Sequence, residues 1–343
     1  MRPAVIVVSL ASVILAIANL MPGRAREARQ QSANAVGQQA ADNNLPPTHN
    51  WAEGNPLKIA LLHWYLLNKT TYFPVGQQPY GVCFDGANIW VANGGSNTVS
   101  KLRANDGANL GTFSVGSQPV GVTFDGANIW VSNNHSGSVT KLRASDGTVL
   151  GTFPVGNLPF WMAFDGANIW VPIPALAGDG SVVKLRAADG RNLGTFPVGV
   201  GPVAAAFDGA NVWVTNETDG TVTKLRASDG HLLGTFSVGY GPIGVAFDGA
   251  NIWVANGGGT VTELRASDGS VLGTFQAPGL PYGIAFDGAN IWVTGSPYIN
   301  VLRASDGKNL VRFNPPATNT TGVAFDGANV WFAGFNINEV AKF

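Results

Sequence analysis

Four residues have side-chain oxygen or nitrogen atoms that could bind a metal ion. They lie in short variable segments between stretches of sequence that resemble one another. They are His135, Asp179, Glu217 and Asp219. Carboxylate oxygens are the ligands that hard divalent cations prefer, and an imidazole can join them. No histidine belongs to a His-x-His or His-Glu-x-x-His pattern, and solvated loop residues would look the same. We therefore expect no cofactor, and keep a divalent cation bound by these four residues as the alternative.

Large aromatic side chains form the second group of candidates. Three of them, Tyr80, Phe160 and Tyr282, each follow a proline at a corresponding position of the sequence. Rings with a polar edge contact both apolar and hydrogen-bonding ligands. The predicted ligand-binding residues are Tyr80, His135, Phe160, Trp161, Tyr240, Tyr282 and Tyr298. The alternative for the aromatic residues is that they only fill a central channel.

All these candidates are spaced along a sequence repeat of about forty residues. The string Phe-Asp-Gly-Ala-Asn-(Ile/Val)-Trp occurs seven times, with spacings of 40, 40, 43, 40, 39 and 39 residues. Its copies begin at Phe84, Phe124, Phe164, Phe207, Phe247, Phe286 and Phe325. A fixed period of this length is typical of propellers and solenoids.

Each repeat divides into four short strands, here named a to d. In the second copy we predict strands over residues 120–124, 129–132, 138–144 and 149–155. Asp-Gly pairs occupy the a–b and c–d turns, where glycine accepts a positive φ. The segments between are rich in β-branched and aromatic residues, and no helical period continues through the glycines and prolines. Four strands per repeat predict an all-β fold over residues 69–343, a seven-bladed β-propeller with four-stranded blades.

The two ends of this region complement each other. The last repeat provides strands a, b and c and then stops, whereas residues 70–76 match strand d of the other repeats. We therefore predict that the N-terminal strand completes the last blade, which closes the ring and covers an exposed edge.

The repeats vary on one side only. The a–b and c–d turns barely change, whereas the b–c loops and the d–a connections differ in nearly every copy. Trp161 and Met162 also break the pattern of strand a in the third repeat. Because specific binding needs individual loops on a rigid frame, we predict binding on the variable side. The repeated Trp should pack between blades, and the repeated Asp should cap its turn and meet an arginine of strand c, such as Arg103 or Arg143.

The residues before the repeats predict export. A basic head and the uncharged apolar run 4–21 are typical of a signal peptide within residues 1–25, with an uncleaved membrane anchor as the alternative. Residues 26–50 are expected to be a flexible linker, and 51–68 an apolar segment. The single cysteine, Cys83, is interpreted as a small buried apolar residue.

Composition excludes some classes of function. The 343 residues include 20 Lys and Arg against 21 Asp and Glu, so no basic field for nucleic acid exists. Thirty-four aromatic residues exclude a disordered chain. We expect a periplasmic or secreted protein, which touches a membrane only if its N-terminal segment is an anchor.

Strings such as Val-Ala-Phe-Asp-Gly-Ala-Asn-Ile-Trp-Val-Ala-Asn, at residues 245–256, resemble bacterial propeller repeats of the YVTN, NHL-like or streptogramin-lyase-like type. The resemblance covers roughly residues 70–343. It implies a seven-bladed propeller and, for streptogramin lyase, magnesium-dependent ring opening by a His and Glu cluster. Glu263 stands alone in strand c without a histidine, so no such cluster can be matched here.

Three functions remain open at this stage. The first is an exported, non-catalytic propeller that binds a protein, peptide or glycan at its variable loops and channel mouth. The second is a metal-dependent lyase or lactone hydrolase that uses His135, Asp179, Glu217 and Asp219. The third is a purely structural envelope protein, which would have no saturable ligand.

Overall fold

The computed structural model describes residues 70–175, 178–317 and 319–343. Within these ranges every regular element is a β-strand. The expected signal peptide or anchor (1–25), linker (26–50) and apolar segment (51–68) lie outside the described residues. Among the described residues no helix is long and apolar enough to span a membrane.

Twenty-eight strands form seven separate four-stranded antiparallel sheets. Blade 1 contains β2 (Pro79–Phe84), β3 (Asn88–Asn93), β4 (Thr98–Arg103) and β5 (Asn109–Ser114). Blade 2 contains β6 (Pro119–Phe124), β7 (Asn128–Asn133), β8 (Ser138–Arg143) and β9 (Val149–Pro154). Blade 3 contains β10 (Ala163–Phe164), β11 (Asn168–Ile173), β12 (Ser181–Arg186) and β13 (Asn192–Pro197). Blade 4 contains β14 (Pro202–Phe207), β15 (Asn211–Asn216), β16 (Thr221–Arg226) and β17 (Leu232–Ser237).

The remaining blades follow the same order. Blade 5 contains β18 (Pro242–Phe247), β19 (Asn251–Asn256), β20 (Thr260–Arg265) and β21 (Val271–Gln276). Blade 6 contains β22 (Leu280–Phe286), β23 (Asn290–Ser296), β24 (Ile299–Arg303) and β25 (Asn309–Phe313). Blade 7 contains β26 (Thr320–Phe325), β27 (Val330–Gly334), β28 (Glu339–Lys342) and, from the N-terminal side, β1 (Thr71–Pro74).

The closure of the ring confirms the predicted fold. Strand β1 pairs antiparallel with β28, from Thr71 opposite Lys342 to Pro74 opposite Glu339. The innermost strands of neighbouring blades contact one another around the ring, including β2 of blade 1 with β26 of blade 7. The molecule is therefore a seven-bladed β-propeller whose last blade joins the two ends of the described chain.

Glycine lets the innermost strands approach closely. Glycine occupies corresponding positions of strand a in blades 1, 2, 5, 6 and 7, namely Gly81, Gly121, Gly244, Gly283 and Gly322. A Cβ atom at Gly81 would lie 2.6 Å from the carbonyl oxygen of Val120 in the next blade. A side chain at Gly81 would therefore have to displace the neighbouring strand.

The repeated tryptophans fill the spaces between blades, as predicted. Trp90 of blade 1 is fully buried against Ile129, Val131 and Leu142 of blade 2. The strand-d ring of the same blade, Phe113, lies over it with 5.6 Å between ring centroids. Because this cluster recurs around the ring, each seam between blades has its own apolar core.

The repeated aspartate holds the a–b turn together. Oδ1 of Asp85 accepts hydrogen bonds from the backbone N–H groups of Ala87 and Asn88, and Oδ2 accepts one from Nε1–H of Trp90 at 2.7 Å. Burial by itself raises the pKa of Asp85, but these hydrogen bonds outweigh it and lower the pKa. The turn thus fixes the tryptophan that fills the seam.

The expected contact between this aspartate and a strand-c arginine is absent from the described hydrogen bonds. Arg103 instead pairs with Asp106, three residues later in its own c–d turn, at 2.9 Å. The same exposed pairing occurs at Arg143–Asp146, Arg186–Asp189, Arg226–Asp229, Arg265–Asp268 and Arg303–Asp306. The arginine lies nearer to that turn along the chain, so the local carboxylate is its partner.

Candidate functional site

The seven a–b turns and six c–d turns lie on one side of the ring, here called the turn face. The backbone N–H of Ala104, in a c–d turn, donates to the carbonyl of Ala87 in the a–b turn beside it. The b–c loops and d–a connections lie together on the other side, here called the loop face. There the N–H of Gly94 donates to the carbonyl of Gln78. The two variable sets of segments therefore share one face, as the sequence predicts.

The channel mouth on the loop face is shaped by an irregularity in blade 3. Strand a of that blade is reduced to two residues, and Trp161 forms only an isolated parallel bridge with Ala204. Trp161 occupies the position at which five other blades have glycine, so a full ladder cannot form there. Its indole Nε1–H instead donates to the carbonyl of Val120 at 3.1 Å. The indole ring is thereby fixed in the channel.

Trp161 meets an aromatic residue from the other side of the ring. The ring of Tyr282 in blade 6 stands perpendicular to the indole, with 5.1 Å between centroids. Phe160 lies on the blade-3 side of Trp161, at 6.1 Å. Tyr80 packs edge-on against Phe335 of blade 7, at 5.0 Å. We call Tyr80, Phe160, Trp161, Tyr282 and Phe335 the mouth aromatics.

Four of these five residues are among the ligand-binding residues predicted from the sequence. Phe335 is not among them, although its b–c loop belongs to the variable set. Sequence spacing cannot show that a short loop of blade 7 places a ring against Tyr80. The common position after the d–a proline indicated Tyr80, Phe160 and Tyr282, because it marks the start of an inner strand, and the break in the strand-a pattern indicated Trp161.

Below the mouth lies a cavity of about 120 Å³, lined by Trp161, Tyr282 and small strand-a residues such as Gly81 and Gly244. This is smaller than the ~300 Å³ at which pockets for small organic molecules begin. Trp161 and Tyr282 thus restrict the channel, and a larger ligand would contact the mouth aromatics from the loop face.

Electrostatics distinguish Tyr282 from the other rings. Burial raises the pKa of its hydroxyl well above the usual value, and the nearby Tyr80 and the negative charge of Glu217 raise it further. Tyr282 is therefore a neutral hydroxyl at the mouth. Glu217, an exposed residue of the blade-4 b–c loop, is near enough to act on it.

The other predicted ligand-binding residues lie apart from this contact network. His135 is exposed in the b–c loop of blade 2, and Tyr240 is 85% exposed between blades 4 and 5. The ring of Tyr298 lies under the guanidinium of Arg312 on outer strand β25, at 4.7 Å. These three residues are on the loop face or its rim, and their described contacts are local.

The four predicted metal ligands are not gathered into one cluster. Within the three described ranges no group of three or more His, Cys, Asp or Glu side chains could hold a metal ion. Asp219 instead accepts a hydrogen bond from the backbone N–H of Val200 at 2.7 Å, and so braces a d–a connection. Asp179 and Glu217 are both exposed.

A larger open depression of about 660 Å³ lies on the turn face, between blades 3 and 4. It is lined by turn residues such as Asp165, Lys184 and Arg226. The same residue types occur in the turns of other blades, so the lining of this depression is less distinctive than that of the mouth.

Comparisons with known proteins agree with the architecture. The sequence matches no protein-family model and no curated protein. The structure is similar to hydrazine synthase from Kuenenia stuttgartiensis, with a TM-score of 0.69, 17% identity, and coverage of 78% of this chain and 95% of that chain. It is also similar to a catalytically inactive virginiamycin B lyase from Staphylococcus aureus with quinupristin, with a TM-score of 0.66, 19% identity, and coverage of 80% and 98%. At these identities the likeness establishes the seven-bladed propeller fold.

Proposed function

We propose that the protein is an exported, non-catalytic β-propeller that binds a protein, peptide or glycan through its loop face and channel mouth. This proposal rests on one observation, the five mouth aromatics, which lie together at the loop-face end of the channel. Aromatic rings with polar edges suit peptide side chains and sugar rings alike. The repeat itself is proposed to belong to the YVTN or NHL-like group.

The arrangement of Trp161 supports this proposal. A tryptophan at a glycine position costs blade 3 most of its inner strand, yet its ring is held by a hydrogen bond and by Tyr282. A residue that disturbs the frame and is nevertheless fixed in place is typical of a functional site. A residue that only filled the channel could have a purely apolar side chain. Here the indole of Trp161 and the phenol of Tyr282 are instead held in fixed orientations.

The test is a binding screen of the full chain against immobilised oligosaccharides and peptides, followed by variants. We expect Trp161→Ala and Tyr80→Ala to weaken binding of any hit at least tenfold. His231→Ala is the matched control, because His231 is exposed on the turn face and should not matter. Circular dichroism and thermal unfolding would confirm that each variant keeps the fold. Equal loss in His231→Ala, or unchanged binding in both mouth variants, would refute the proposal.

A second candidate is a metal-dependent lyase or lactone hydrolase using His135, Asp179, Glu217 and Asp219. One observation favours it: Glu217 is close enough to the mouth to act electrostatically on Tyr282, so a carboxylate able to accept a proton lies near the mouth. The fold is also that of virginiamycin B lyase. Turnover of lactones or cyclic esters with added magnesium or manganese, lost in Glu217→Gln, would put this candidate first.

Export is proposed on the sequence of residues 1–25. Mass spectrometry of the protein from the expressing cell would locate it and establish the state of its N-terminus. A mature protein lacking about 25 residues supports a cleaved signal, and an intact one in the membrane fraction supports the anchor. A cytosolic protein would contradict both.

A further inference from the structure

Five seams between blades are each closed by a lysine, which is buried in four of them and partly exposed at Lys342. Its ammonium group donates to two consecutive backbone carbonyls in the c–d turn of the next blade, at 2.6–3.2 Å. The same nitrogen lies 4.9–5.3 Å from the centre of its own blade's tryptophan ring. The lysines are Lys101, Lys141, Lys184, Lys224 and Lys342. Each of these seams therefore has a cation site made of two carbonyl oxygens and an aromatic face.

The seam between blades 6 and 7 has no lysine, and its structure explains why. Strand d of blade 7 is β1, which comes from the other end of the described chain, so no c–d turn follows β28 directly. The carbonyl pair that a lysine would bind is therefore absent. Val301 stands at the lysine position and packs in an apolar cluster with Phe332 and Phe343.

The seam between blades 5 and 6 is different. The c–d turn of blade 6 is intact: the N–H of Ala304 donates to the carbonyl of Ala289, and that of Gly307 to the carbonyl of Arg303. The carbonyls of Ala304 and Ser305 correspond to those that bind lysine in the other seams. The residue at the lysine position is nevertheless Glu263, only 9% exposed.

Glu263 also changes the turn beside it. In blade 1 the side-chain amide of Asn88 donates to both carboxylate oxygens of Asp85. In blade 5 the amide of Asn251 donates to Oε1 of Glu263 instead, at 2.8 Å. Oε2 of Glu263 accepts no hydrogen bond from the described residues, and it is not among their fully buried unpartnered atoms, so it remains open to solvent and to a ligand.

We propose that the seam between blades 5 and 6 binds a calcium-type divalent cation, held by Glu263 and by the backbone carbonyls of Ala304 and Ser305. The ion would lie where the lysine ammonium lies in the five other seams. The carboxylate oxygens of glutamate are one bond closer to Cα than the lysine nitrogen, which leaves space for an ion between Glu263 and the carbonyls. Asp248 adds a second negative charge, and water completes the coordination.

Ligand chemistry and charge support calcium. The group contains carboxylate and carbonyl oxygens from two blades, and calcium accepts six to eight such ligands in adaptable geometry, whereas magnesium requires a strict octahedron. Asn251 links the two carboxylates, because its backbone N–H donates to Asp248 and its side-chain amide donates to Glu263. Two neighbouring carboxylates without a basic partner are expected to attract a cation. This site lies at the turn-face end of a seam and is independent of the proposed function at the mouth.

The test is thermal unfolding of the full chain in chelator and after addition of calcium, magnesium or sodium, together with calorimetric titration of calcium. Calcium at a hundred times its dissociation constant should raise the melting temperature of the wild type by about 5 °C. Magnesium and sodium should give smaller shifts. Titration should give one calcium per chain.

Two substitutions make the test specific. Glu263→Lys restores the residue of five other seams, so it should fold, lose the calcium response, and melt in chelator at least as high as the calcium-loaded wild type. Val301→Thr is the control at the equivalent position of the next seam; it is nearly isosteric and should keep the full calcium response. A wild type without a calcium shift would overturn the proposal. So would a response that survives Glu263→Lys, or one abolished by changing Glu217 and Asp219 on the loop face.

Discussion

The two faces of the ring are made by the same strands but have different properties. On the turn face, a short network of an aspartate, a tryptophan, an asparagine and a lysine recurs from seam to seam. On the loop face, each b–c loop has its own sequence, and one of them places Phe335 against Tyr80. The turn face therefore determines how blades pack, while the loop face can vary without changing that packing.

Exceptions to the repeat are informative on both faces. Trp161 breaks the inner strand of blade 3 and shapes the mouth, and Glu263 replaces a lysine opposite an intact carbonyl pair. Val301 also replaces a lysine, but this exception is explained because blade 7 has no c–d turn whose carbonyls a lysine could bind. A departure that local packing does not require is the better indicator of a site.

The largest effect should follow from removing a tryptophan of the turn-face network. Trp130→Ala leaves a cavity between blades 2 and 3 and should lower the free energy of unfolding by about 3–5 kcal/mol. Tyr240→Ala on the loop face should change it by less than about 0.5 kcal/mol, because that side chain is 85% exposed. Urea unfolding of both variants measures this contrast. Similar losses of unfolding free energy in the two variants would show that the two faces do not differ in their contribution to stability.

A smaller effect should follow from removing one lysine ammonium. Lys141→Met keeps the stem but leaves the carbonyls of Ala187 and Ala188 without their donor, which should cost about 1–3 kcal/mol. Arg191→Met is the control, because it removes an exposed positive charge from the same face. A loss confined to Lys141→Met in urea unfolding would confirm the seam contact, and equal losses would attribute the effect to net charge.

The turn carboxylates predict how stability depends on acid. Burial opposes their ionisation, but hydrogen bonds from tryptophan, asparagine and the backbone prevail and lower the pKa of Asp85, Asp125, Asp208, Asp287 and Asp326. A carboxyl whose pKa is lower in the folded than in the unfolded state stabilises the fold above its ordinary pKa of about 3.9. That contribution is lost as the pH falls through the folded-state values.

Asp125→Asn isolates one of these carboxylates. The wild type should be more stable than the variant near pH 6, and the difference should shrink below about pH 4 as Asp125 becomes protonated. Urea unfolding at a series of pH values measures it. A difference that stays constant down to pH 2 would mean that the ionised carboxylate contributes no hydrogen-bond stabilisation.

Much of the frame could be predicted from the sequence because each of its signals is local and occurs seven times. Asp-Gly pairs mark the turns, and residues 70–76 match a missing strand d, so even the closure of β1 on β28 followed from the pattern. The partner of Arg103 was predicted incorrectly: two aspartates are available, and the arginine pairs with Asp106, which is only three residues away. The lysine contacts between blades were not foreseen, because a recurring Lys-Leu-Arg string does not show that its ammonium reaches the next blade.

The candidate site was less predictable for a physical reason. Tyr80, Phe160 and Tyr282 share a position after a proline, so their approach to the channel follows from the repeat. The contact between Trp161 and Tyr282 joins blades 3 and 6, and the contact between Tyr80 and Phe335 joins blades 1 and 7. Such contacts depend on side-chain directions across a closed ring, which no local sequence pattern specifies.

The smallest effect is expected for the exposed ion pairs of the turn face. Arg226 pairs with Asp229 at 2.9 Å, but both side chains are about half exposed, so Arg226→Ala should cost less than about 1 kcal/mol. Asp229 also accepts a hydrogen bond from the backbone N–H of His231, which braces the c–d turn. Asp229→Ala should therefore cost more than Arg226→Ala. Thermal unfolding at low and high salt measures both variants; a larger and salt-sensitive loss for Arg226→Ala would show that Coulomb attraction, rather than the turn hydrogen bond, gives this face its local rigidity.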